Sequence, residues 1–293
     1  MAASATRATP AASGLRPMTP VRAIVAMTRP SQIARIWVIY ASGLLLGSLR
    51  PGAVFDPWSA VVVVLLITAA AASAHLVNEA EDAATDRLTE RTPFSGGSGA
   101  LEASGLRPAV PLWLGLALAA VVAAATWAAW LLVPLPSTVA TLVLVGLVGS
   151  LAYSLPPLAA MRHGWGEPLN AILGGLILPL AGVAVVAGQV GIDDALVFLP
   201  FTLVVLASVM ATAWPDRAAD AATGKATLAV RFSPMALHRI HAAASAGFVA
   251  ATFVAAAVGA GPFMLAGLVV VPALLIGTVG YTRRSSPLAN VVA

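Results

Sequence analysis

Long apolar stretches recur along this chain and limit what it can fold into more than any other feature. Eight of them approach the ~20 residues that a helix needs to cross ~30 Å of hydrocarbon. They lie near residues 32–49, 58–77, 109–133, 137–155, 168–188, 195–214, 237–258 and 262–281. Hydrophobic residues make up 59% of the 293 positions and charged residues only 10%, which excludes an ordinary soluble domain. Because the stretches lack the alternation of a membrane β-barrel, the sequence predicts an all-α integral-membrane bundle.

The basic residues predict how this bundle is oriented. Arg50 is the only basic residue on one side of the predicted topology. The other basic residues lie on the opposite side, near the termini and in the even-numbered connections. The positive-inside rule makes that second side cytoplasmic. We therefore expect a plasma-membrane protein of bacterial type whose termini and polar connections face the cytoplasm. The high sequence pI of about 10.3 follows from these arginines and requires no nucleic-acid partner.

Composition also suggests a division of the chain. Residues 1–26 are rich in Ala, Ser, Thr and Pro and contain no apolar h-region, so we expect a disordered cytoplasmic tail rather than a signal peptide. Residues 27–293 are expected to form a single transmembrane domain. Because the chain has no cysteine, it has neither a disulfide framework nor a thiolate metal site.

An acidic segment follows the second span. Asn78, Asp82 and Asp86 are four residues apart, which places them on one stripe of a helix. Carboxylate and amide oxygens suit hard cations, and Mg²⁺ usually takes one or two carboxylates together with water and substrate phosphate oxygens. The segment therefore predicts a magnesium and phosphate site on the cytoplasmic side.

A second acidic segment follows the sixth span with the same spacing. Pro215 is suited to an early helical position, which would put Asp216 in the first turn, with Asp220 one turn later. The offset between the two segments is 134 residues, for Asp82 to Asp216 (216 − 82) and for Asp86 to Asp220 (220 − 86). This spacing indicates two parallel four-helix halves, about residues 27–155 and 166–281, around a central site.

Other polar residues in the cytoplasmic connections are candidates for binding a diphosphate. Arg91, Arg162 and Lys225 have the charge for it, although the positive-inside rule alone would also place them there. Tyr153 and Ser154 could donate hydrogen bonds to it. His75, one turn before Asn78, is either a group that positions an acceptor or a histidine satisfied within the bundle.

The two acidic segments resemble the signatures of the UbiA-type intramembrane prenyltransferases. Asn78-Glu-x-x-Asp82-x-x-x-Asp86 is similar to the first signature, and Asp216-x-x-x-Asp220-x-x-x-Gly224-Lys225-x-Thr227 is similar to the second. Tyr153-Ser154, Arg29-Pro30 and the loop from Arg91 to Gly99 also resemble family features. The resemblance runs from about residue 27 to 281.

The resemblance implies a specific chemistry. It suggests a helical bundle with a large central cavity, in which Asp82, Asp86, Asp216 and Asp220 are catalytic. Together with Asn78 they would bind Mg²⁺, whereas Asn78, Arg91, Tyr153, Ser154, Arg162 and Lys225 would bind a prenyl diphosphate. The prenyl group would be transferred to a small aromatic acceptor, and the loop most resembles that of enzymes that prenylate dihydroxynaphthoate in quinone biosynthesis.

Three departures from the family pattern bear on this interpretation. Glu79 stands where the family usually has Asp, and its role is undetermined. No Lys-Arg pair follows Tyr153-Ser154, which leaves Arg162 as the nearest base. The family usually has nine spans, and this sequence contains eight, so either it is part of a longer chain or the bundle closes differently.

Two other functions would use the same residues. A UbiA-type terpene cyclase would ionise a prenyl diphosphate on the same acidic segments without an acceptor. A secondary transporter is the other alternative, but transporters usually place polar groups near the bilayer midplane, whereas these lie at helix ends. Sequence alone leaves the acceptor, the prenyl chain length and the oligomeric state open.

Overall fold

The computed structural model describes residues 16–89, 91, 96–133 and 135–281. Every regular element in these ranges is helical, which confirms the predicted all-α architecture. In chain order the helices are α1 Pro20–Met27, α2 Pro30–Ser48, α3 Pro57–Glu81, α4 Ala83–Asp86, α5 Ala100–Ser104, α6 Ala109–Leu132, α7 Ser137–Ser154, α8 Gly166–Ala187, α9 Ile192–Ala213, α10 Arg217–Ala222, α11 Leu228–Arg231, α12 Pro234–Val258 and α13 Pro262–Gly280.

The eight long helices agree with the eight predicted spans to within a few residues. Among the described residues, seven of them are long and apolar enough to cross a membrane: α3, α6, α7, α8, α9, α12 and α13. The eighth, α2, has 19 residues, but its first turns contain Gln32 and Arg35. These polar residues lower its mean hydropathy, so α2 is not among the seven.

Local sequence determines where several helices begin. Pro57 opens α3, and the Asp56 carboxylate accepts hydrogen bonds from the backbone N–H groups of Trp58 and Ser59, at 3.2 and 2.9 Å. Pro234 opens α12 in the same way, where the Ser233 hydroxyl accepts from the N–H of Ala236. Proline at the first position and a polar cap before it are strong start signals.

Small residues bring the long helices into close contact. A Cβ on Gly43 of α2 would lie only 2.0 Å from the Pro179 carbonyl oxygen of α8, and one on Gly182 would lie 2.4 Å from the Tyr40 carbonyl oxygen. Likewise, the Ser73 hydroxyl of α3 donates to the Gly115 carbonyl of α6 at 2.7 Å. Close backbone approach and hydrogen bonds between helices are what stabilise helix association in lipid.

The prediction of a disordered tail over residues 1–26 is wrong for its last part. Residues 20–26 belong to α1, which packs Ala23 and Met27 against Leu76 of α3 and against Ala100 and Leu101 of α5. Burial of this apolar face explains why the segment is helical although its composition is tail-like. Residues 1–15 of the predicted tail lie outside the described residues, as do residues 92–95 of the Arg91–Gly99 loop.

Candidate active site

The two acidic segments adopt the same local shape. Asp82 has φ −89° and ψ −3°, and Asp216 has φ −80° and ψ −7°. Each precedes a short helix, α4 or α10, that continues from a long one. Pro215 therefore lies before α10 rather than inside it, and Asp216 is the N-cap residue; this corrects the predicted first-turn position.

The predicted polar stripe of the first segment is retained despite the break in the helix. The backbone N–H of Asp82 donates to the Asn78 carbonyl, and that of Asp86 donates to the Asp82 carbonyl, both at 2.9 Å. These contacts keep the helical spacing of four residues. Asn78, Asp82 and Asp86 therefore follow one another along the same side of the segment.

The structure brings the two segments face to face. Both contain the sequence Asp-Ala-Ala-Thr, at residues 82–85 and 220–223. The hydroxyl oxygens of Thr85 and Thr223 are 3.1 Å apart. Lys225 joins the aspartates of the two copies, because its Nζ lies 2.5 Å from Asp82 Oδ1 and 3.6 Å from Asp220 Oδ1.

The surroundings of Lys225 hold it in this bridging position. Its side chain is only 6% exposed, and its backbone N–H donates to the Asp220 carbonyl at 2.9 Å. The Thr227 hydroxyl donates to Asp220 Oδ2 at 3.2 Å. Asp220 is thus fixed by two neighbours from its own connection, and its carboxylate faces the first segment.

Asn78 links the acidic segment to α7 and to the start of α2. Its Nδ2 donates to Asp82 Oδ2 at 2.8 Å and lies 3.5 Å from the Ser154 hydroxyl. Its Oδ1 accepts from the Arg29 guanidinium at 3.3 Å. The structure therefore places Ser154 and Arg29 next to the acidic segment.

Glu79 holds the loop from Arg91 to Gly99, the glycine-rich loop, and does not face the other acidic segment. Its buried carboxylate accepts from Arg29 Nη2 at 3.2 Å, from the Ser98 backbone N–H at 3.3 Å and from the Ser98 hydroxyl. The same loop touches Asp86, since a Cβ on Gly97 would lie 2.1 Å from Asp86 Oδ2. With φ +66° as well, position 97 accommodates only glycine without strain.

Arg91 and Arg162 are both paired with glutamates outside the set of candidate ligands. Arg91 forms an ion pair with Glu102 at 2.6 Å and donates to the Gly96 carbonyl at 3.2 Å. Arg162 contacts the Glu81 carboxylate at 3.4 Å, and its own carbonyl accepts from the N–H of Ala226 at 2.9 Å. Arg162 therefore connects the first segment to the residue next to Lys225, whereas Arg91 belongs to the glycine-rich loop.

Negative charge is in excess where the two segments meet. Burial, followed by the nearby charges of Asp82 and Glu79, raises the pKa of Asp86 to about 7. Burial and the charge of Asp220 likewise raise the pKa of Asp216 to about 7, and Asp216 Oδ1 is buried without a hydrogen-bond partner among the described residues. Burial also raises the pKa of Asp220. A further cation would relieve this repulsion.

The donor set fits a hard cation in chemistry but is not gathered around a single point. Carboxylate and amide oxygens are the ligands that Mg²⁺ prefers, and Asp216 Oδ1 has unused acceptor capacity. In the described part of the chain, however, no three His, Asp or Glu side chains lie close enough together to hold a metal ion. Instead, the ammonium of Lys225 lies between two of the candidate ligands.

A cavity of about 480 Å³ lies beneath Asn78, between the helices. Its polar end includes Arg29, Arg35 and Tyr153, and its remainder is lined by apolar side chains such as Ile67 and Val143. Its volume lies in the range of small-molecule sites. The residues that line it also include His75, Asn170, Gly146 and, from the π-helical turn, Leu173, Gly174 and Ile177.

Glu167 is a buried acidic residue that sequence reasoning missed. Its Oε1 accepts from the backbone N–H of Leu228 at 2.9 Å, while Oε2 is buried and has no hydrogen-bond partner in the part of the chain that the structure describes. It anchors α11, next to the connection that carries Lys225 and Thr227. Its position two residues after Trp165, at the start of an apolar stretch, is that of an ordinary helix end, so no sequence signal distinguishes it.

Comparisons with known proteins agree with this architecture. The sequence model of the UbiA prenyltransferase family matches residues 36–291. A search of curated protein sequences gave no match. Similar solved structures share 13–18% of their residues with this chain, and at such low identity a structural likeness indicates a shared fold.

Three solved structures have similar folds. A UbiA homologue from Archaeoglobus fulgidus bound to DMAPP and Mg²⁺ has a TM-score of 0.65 at 18% identity, over 89% of this chain and 85% of that one. The homologue bound to Cd²⁺ has a TM-score of 0.62 at 17% identity, over 92% and 88% of the two chains. A digeranylgeranylglyceryl phosphate synthase structure has a TM-score of 0.60 at 13% identity, over 93% and 91%.

Proposed function

This chain belongs to the UbiA prenyltransferase family, and from that premise we propose that it transfers an isoprenyl group from a prenyl diphosphate to a small aromatic acceptor within the membrane. The observation that carries this proposal is the meeting of two acidic segments above an apolar cavity. Asp82 and Asp220 share the ammonium of Lys225, and Asn78, bonded to Asp82, lines the cavity. A ligand whose anionic head is bound through Mg²⁺ and whose tail is apolar would fit both parts.

The acidic segments are the proposed binding site for Mg²⁺ and the diphosphate. The ligands would be Asn78, Asp82, Asp86, Asp216 and Asp220. Mg²⁺, when bound, would neutralise the diphosphate as a leaving group and so favour cleavage of the allylic C–O bond. The Archaeoglobus fulgidus homologue, which is bound to DMAPP and Mg²⁺, supports this assignment by its similar fold.

The chain's own basic and hydroxyl groups would bind the diphosphate oxygens. Lys225 and Arg162 lie in two connections that pack together, and Ser154 lies beside Asn78. Charge-assisted hydrogen bonds from such groups strengthen as negative charge builds on the leaving group. Arg91 would join them from the glycine-rich loop, and Tyr153 from the cavity wall.

The cavity would hold the reacting carbon and the acceptor away from water. Apolar side chains line most of it, so an allylic cation formed there would meet the acceptor rather than bulk solvent. His75 lines this cavity, and no described residue forms a hydrogen bond with its Nε2. It is therefore available to bind an acceptor hydroxyl.

We further propose that the acidic segments, the loops and both termini are cytoplasmic, and that residues 27–155 and 166–281 are two repeated halves.

One experiment separates this function from the cyclase alternative. Purified protein is incubated with prenyl diphosphates of increasing length, with and without aromatic acceptors such as dihydroxynaphthoate, in Mg²⁺ or EDTA, and the products are identified by mass spectrometry. The proposal predicts an acceptor carrying one prenyl group, formed only with Mg²⁺. A cyclic hydrocarbon or alcohol formed without acceptor would instead identify a terpene cyclase.

A further inference from the structure

Lys225 is unique among the basic residues of this chain. Of the 16 lysine and arginine residues in the sequence, it alone is a lysine. It is also among the most buried, at 6% exposure, and lies at the centre of the acidic cluster. The single side-chain ammonium group of the sequence is thus placed where the two acidic segments meet.

The position of Lys225 Nζ is that of a cation shared between two carboxylates. It lies 2.5 Å from Asp82 Oδ1 on the first segment and 3.6 Å from Asp220 Oδ1 on the second. A lysine ammonium is a compact point charge on a flexible four-carbon stem, whereas an arginine presents a rigid planar fork. A lysine can therefore fit between two carboxylates and later swing away from them.

The same carboxylates are needed for the proposed ligand. Asp82 and Asp220 are proposed to bind Mg²⁺, so the ammonium and the metal ion compete for the same oxygen atoms. A diphosphate bound beside these aspartates would offer the displaced ammonium a new anionic partner within reach of its flexible stem.

We propose that Lys225 is a built-in counter-ion that moves between two partners. In the ligand-free protein it neutralises Asp82 and Asp220 and keeps the two segments together. When Asp82 and Asp220 bind Mg²⁺, the ammonium moves to the diphosphate. This inference rests on the proposed function for the identity of the ligand.

Coupled binding follows from this exchange. With Mg²⁺ alone, the ammonium must leave its carboxylates without a new partner, so the metal ion binds weakly. With diphosphate present, the ammonium exchanges one anionic partner for another. Mg²⁺ and diphosphate should therefore each increase the affinity of the protein for the other, and Lys225 should contribute to this coupling.

Amine labelling of the wild-type protein tests the exchange directly, because the chain has only one lysine. The acetylation rate of Lys225 is measured by mass spectrometry in EDTA, in saturating Mg²⁺, and in Mg²⁺ with inorganic pyrophosphate, with an added model peptide as reference. We expect slow acetylation in EDTA and acetylation at least about fivefold faster in Mg²⁺ alone. With pyrophosphate added, acetylation should be slow again. Equal rates in all three conditions would overturn the proposal.

Metal-binding measurements on two variants provide a second test. Lys225→Gln should bind Mg²⁺ alone at least about fivefold more tightly than the wild type, since the competing charge is gone, and should gain less affinity when pyrophosphate is added. Arg217→Gln is the matched control, because Arg217 stacks over Trp214 at 5.2 Å; its Mg²⁺ affinity should match that of the wild type. Unchanged or weaker Mg²⁺ binding by Lys225→Gln would contradict the proposal.

Both readouts are independent of prenyl transfer. If Lys225→Gln fails to fold, the labelling experiment on the wild type still decides. If the labelling pattern appears in a protein that forms no prenylated product, the exchange holds and the proposed reaction is wrong. If product forms while Lys225 labelling never changes, the proposed reaction holds and the exchange is wrong.

Discussion

The hydroxyl oxygens of Thr85 and Thr223 are 3.1 Å apart, although 138 residues separate them in the sequence. Each is the third residue after an aspartate that contacts Lys225. This contact joins α4 to α10 without any ion, so it helps to hold the two acidic segments together whatever cation lies between them.

Replacing Thr85 by valine should loosen this junction. The variant keeps the side-chain size and loses the hydroxyl, which should reduce the free energy of unfolding by about 0.5–1.5 kcal/mol and raise the Mg²⁺ concentration needed for half-maximal activity. Thermal unfolding and a Mg²⁺ titration of product formation measure both effects. Thr141→Val is the control, because the Thr141 hydroxyl donates to the Ser137 carbonyl within α7 at 2.9 Å, away from the junction. Identical Mg²⁺ titrations for the two variants would show that the junction is unimportant.

Glu79→Gln separates a structural role for Glu79 from metal binding. Glutamine keeps the size of the side chain but removes the charge that pairs with Arg29, so we expect a loss of about 1–3 kcal/mol in stability and reduced activity. Because Glu79 holds the Ser98 loop, Mg²⁺ affinity measured by calorimetry should stay close to the wild-type value. If Mg²⁺ affinity instead falls as far as in Asp82→Asn, Glu79 would be a metal ligand.

Mg²⁺ affinity should rise with pH between 6 and 8. Burial and neighbouring negative charges raise the pKa of Asp86 and of Asp216 to about 7, so at pH 6 each carboxyl is only about one-tenth ionised. Mg²⁺ requires the ionised form, and its binding must then release protons. Calorimetry should show apparent affinity increasing about fivefold per carboxyl from pH 6 to 7 and about tenfold in all by pH 8, and levelling off above pH 8. Affinity independent of pH in this range would mean that neither aspartate binds the metal ion.

Filling the cavity should shorten the prenyl chain that the protein accepts. Gly146 lines the cavity, and a Cβ there would meet no atom closer than 3.9 Å, from Ile177, so leucine at this position extends into open space. Gly146→Leu should retain activity with the shortest prenyl diphosphates and lose it with longer ones, as measured by product mass.

Gly267→Leu is the control for the cavity variant. A Cβ at Gly267 also meets nothing within 4 Å, but this glycine is exposed and does not line the cavity. Its chain-length profile should match that of the wild type. A profile for Gly146→Leu that also matches the wild type would place the prenyl tail outside this cavity.

The helices and the acidic candidates were predictable from sequence for physical reasons. Spans of about 20 apolar residues in lipid have few alternatives to a helix, and a spacing of four residues defines one side of a helix. The helical part of the tail was missed because α1 is stabilised by contacts with Leu76 and Ala100, which are distant in sequence. Propensity and composition do not report such packing.

The roles of individual charged residues were less predictable. Lys225, Arg29 and Glu79 all lay within the motifs, but their partners are set by how the connections fold over one another. Lys225 reaches Asp82 across 143 residues of sequence, and Arg29 reaches Glu79 across 50. Spacing gives the positions of charges along a helix, whereas ion pairs between connections depend on tertiary contacts.

Product formation by aspartate variants tests the central claim most directly, since the account requires both acidic segments for one reaction. Prenylated acceptor is quantified by mass spectrometry for the wild type, Asp82→Asn and Asp216→Asn, with Asp193→Asn as the control for charge removal. Asp193 is exposed at the opposite end of α9 from Asp216. We predict that Asp82→Asn and Asp216→Asn each lower the Mg²⁺-dependent rate by about 100-fold or more, while Asp193→Asn keeps the wild-type rate. Full activity in either Asp82→Asn or Asp216→Asn, or in EDTA, would contradict the account.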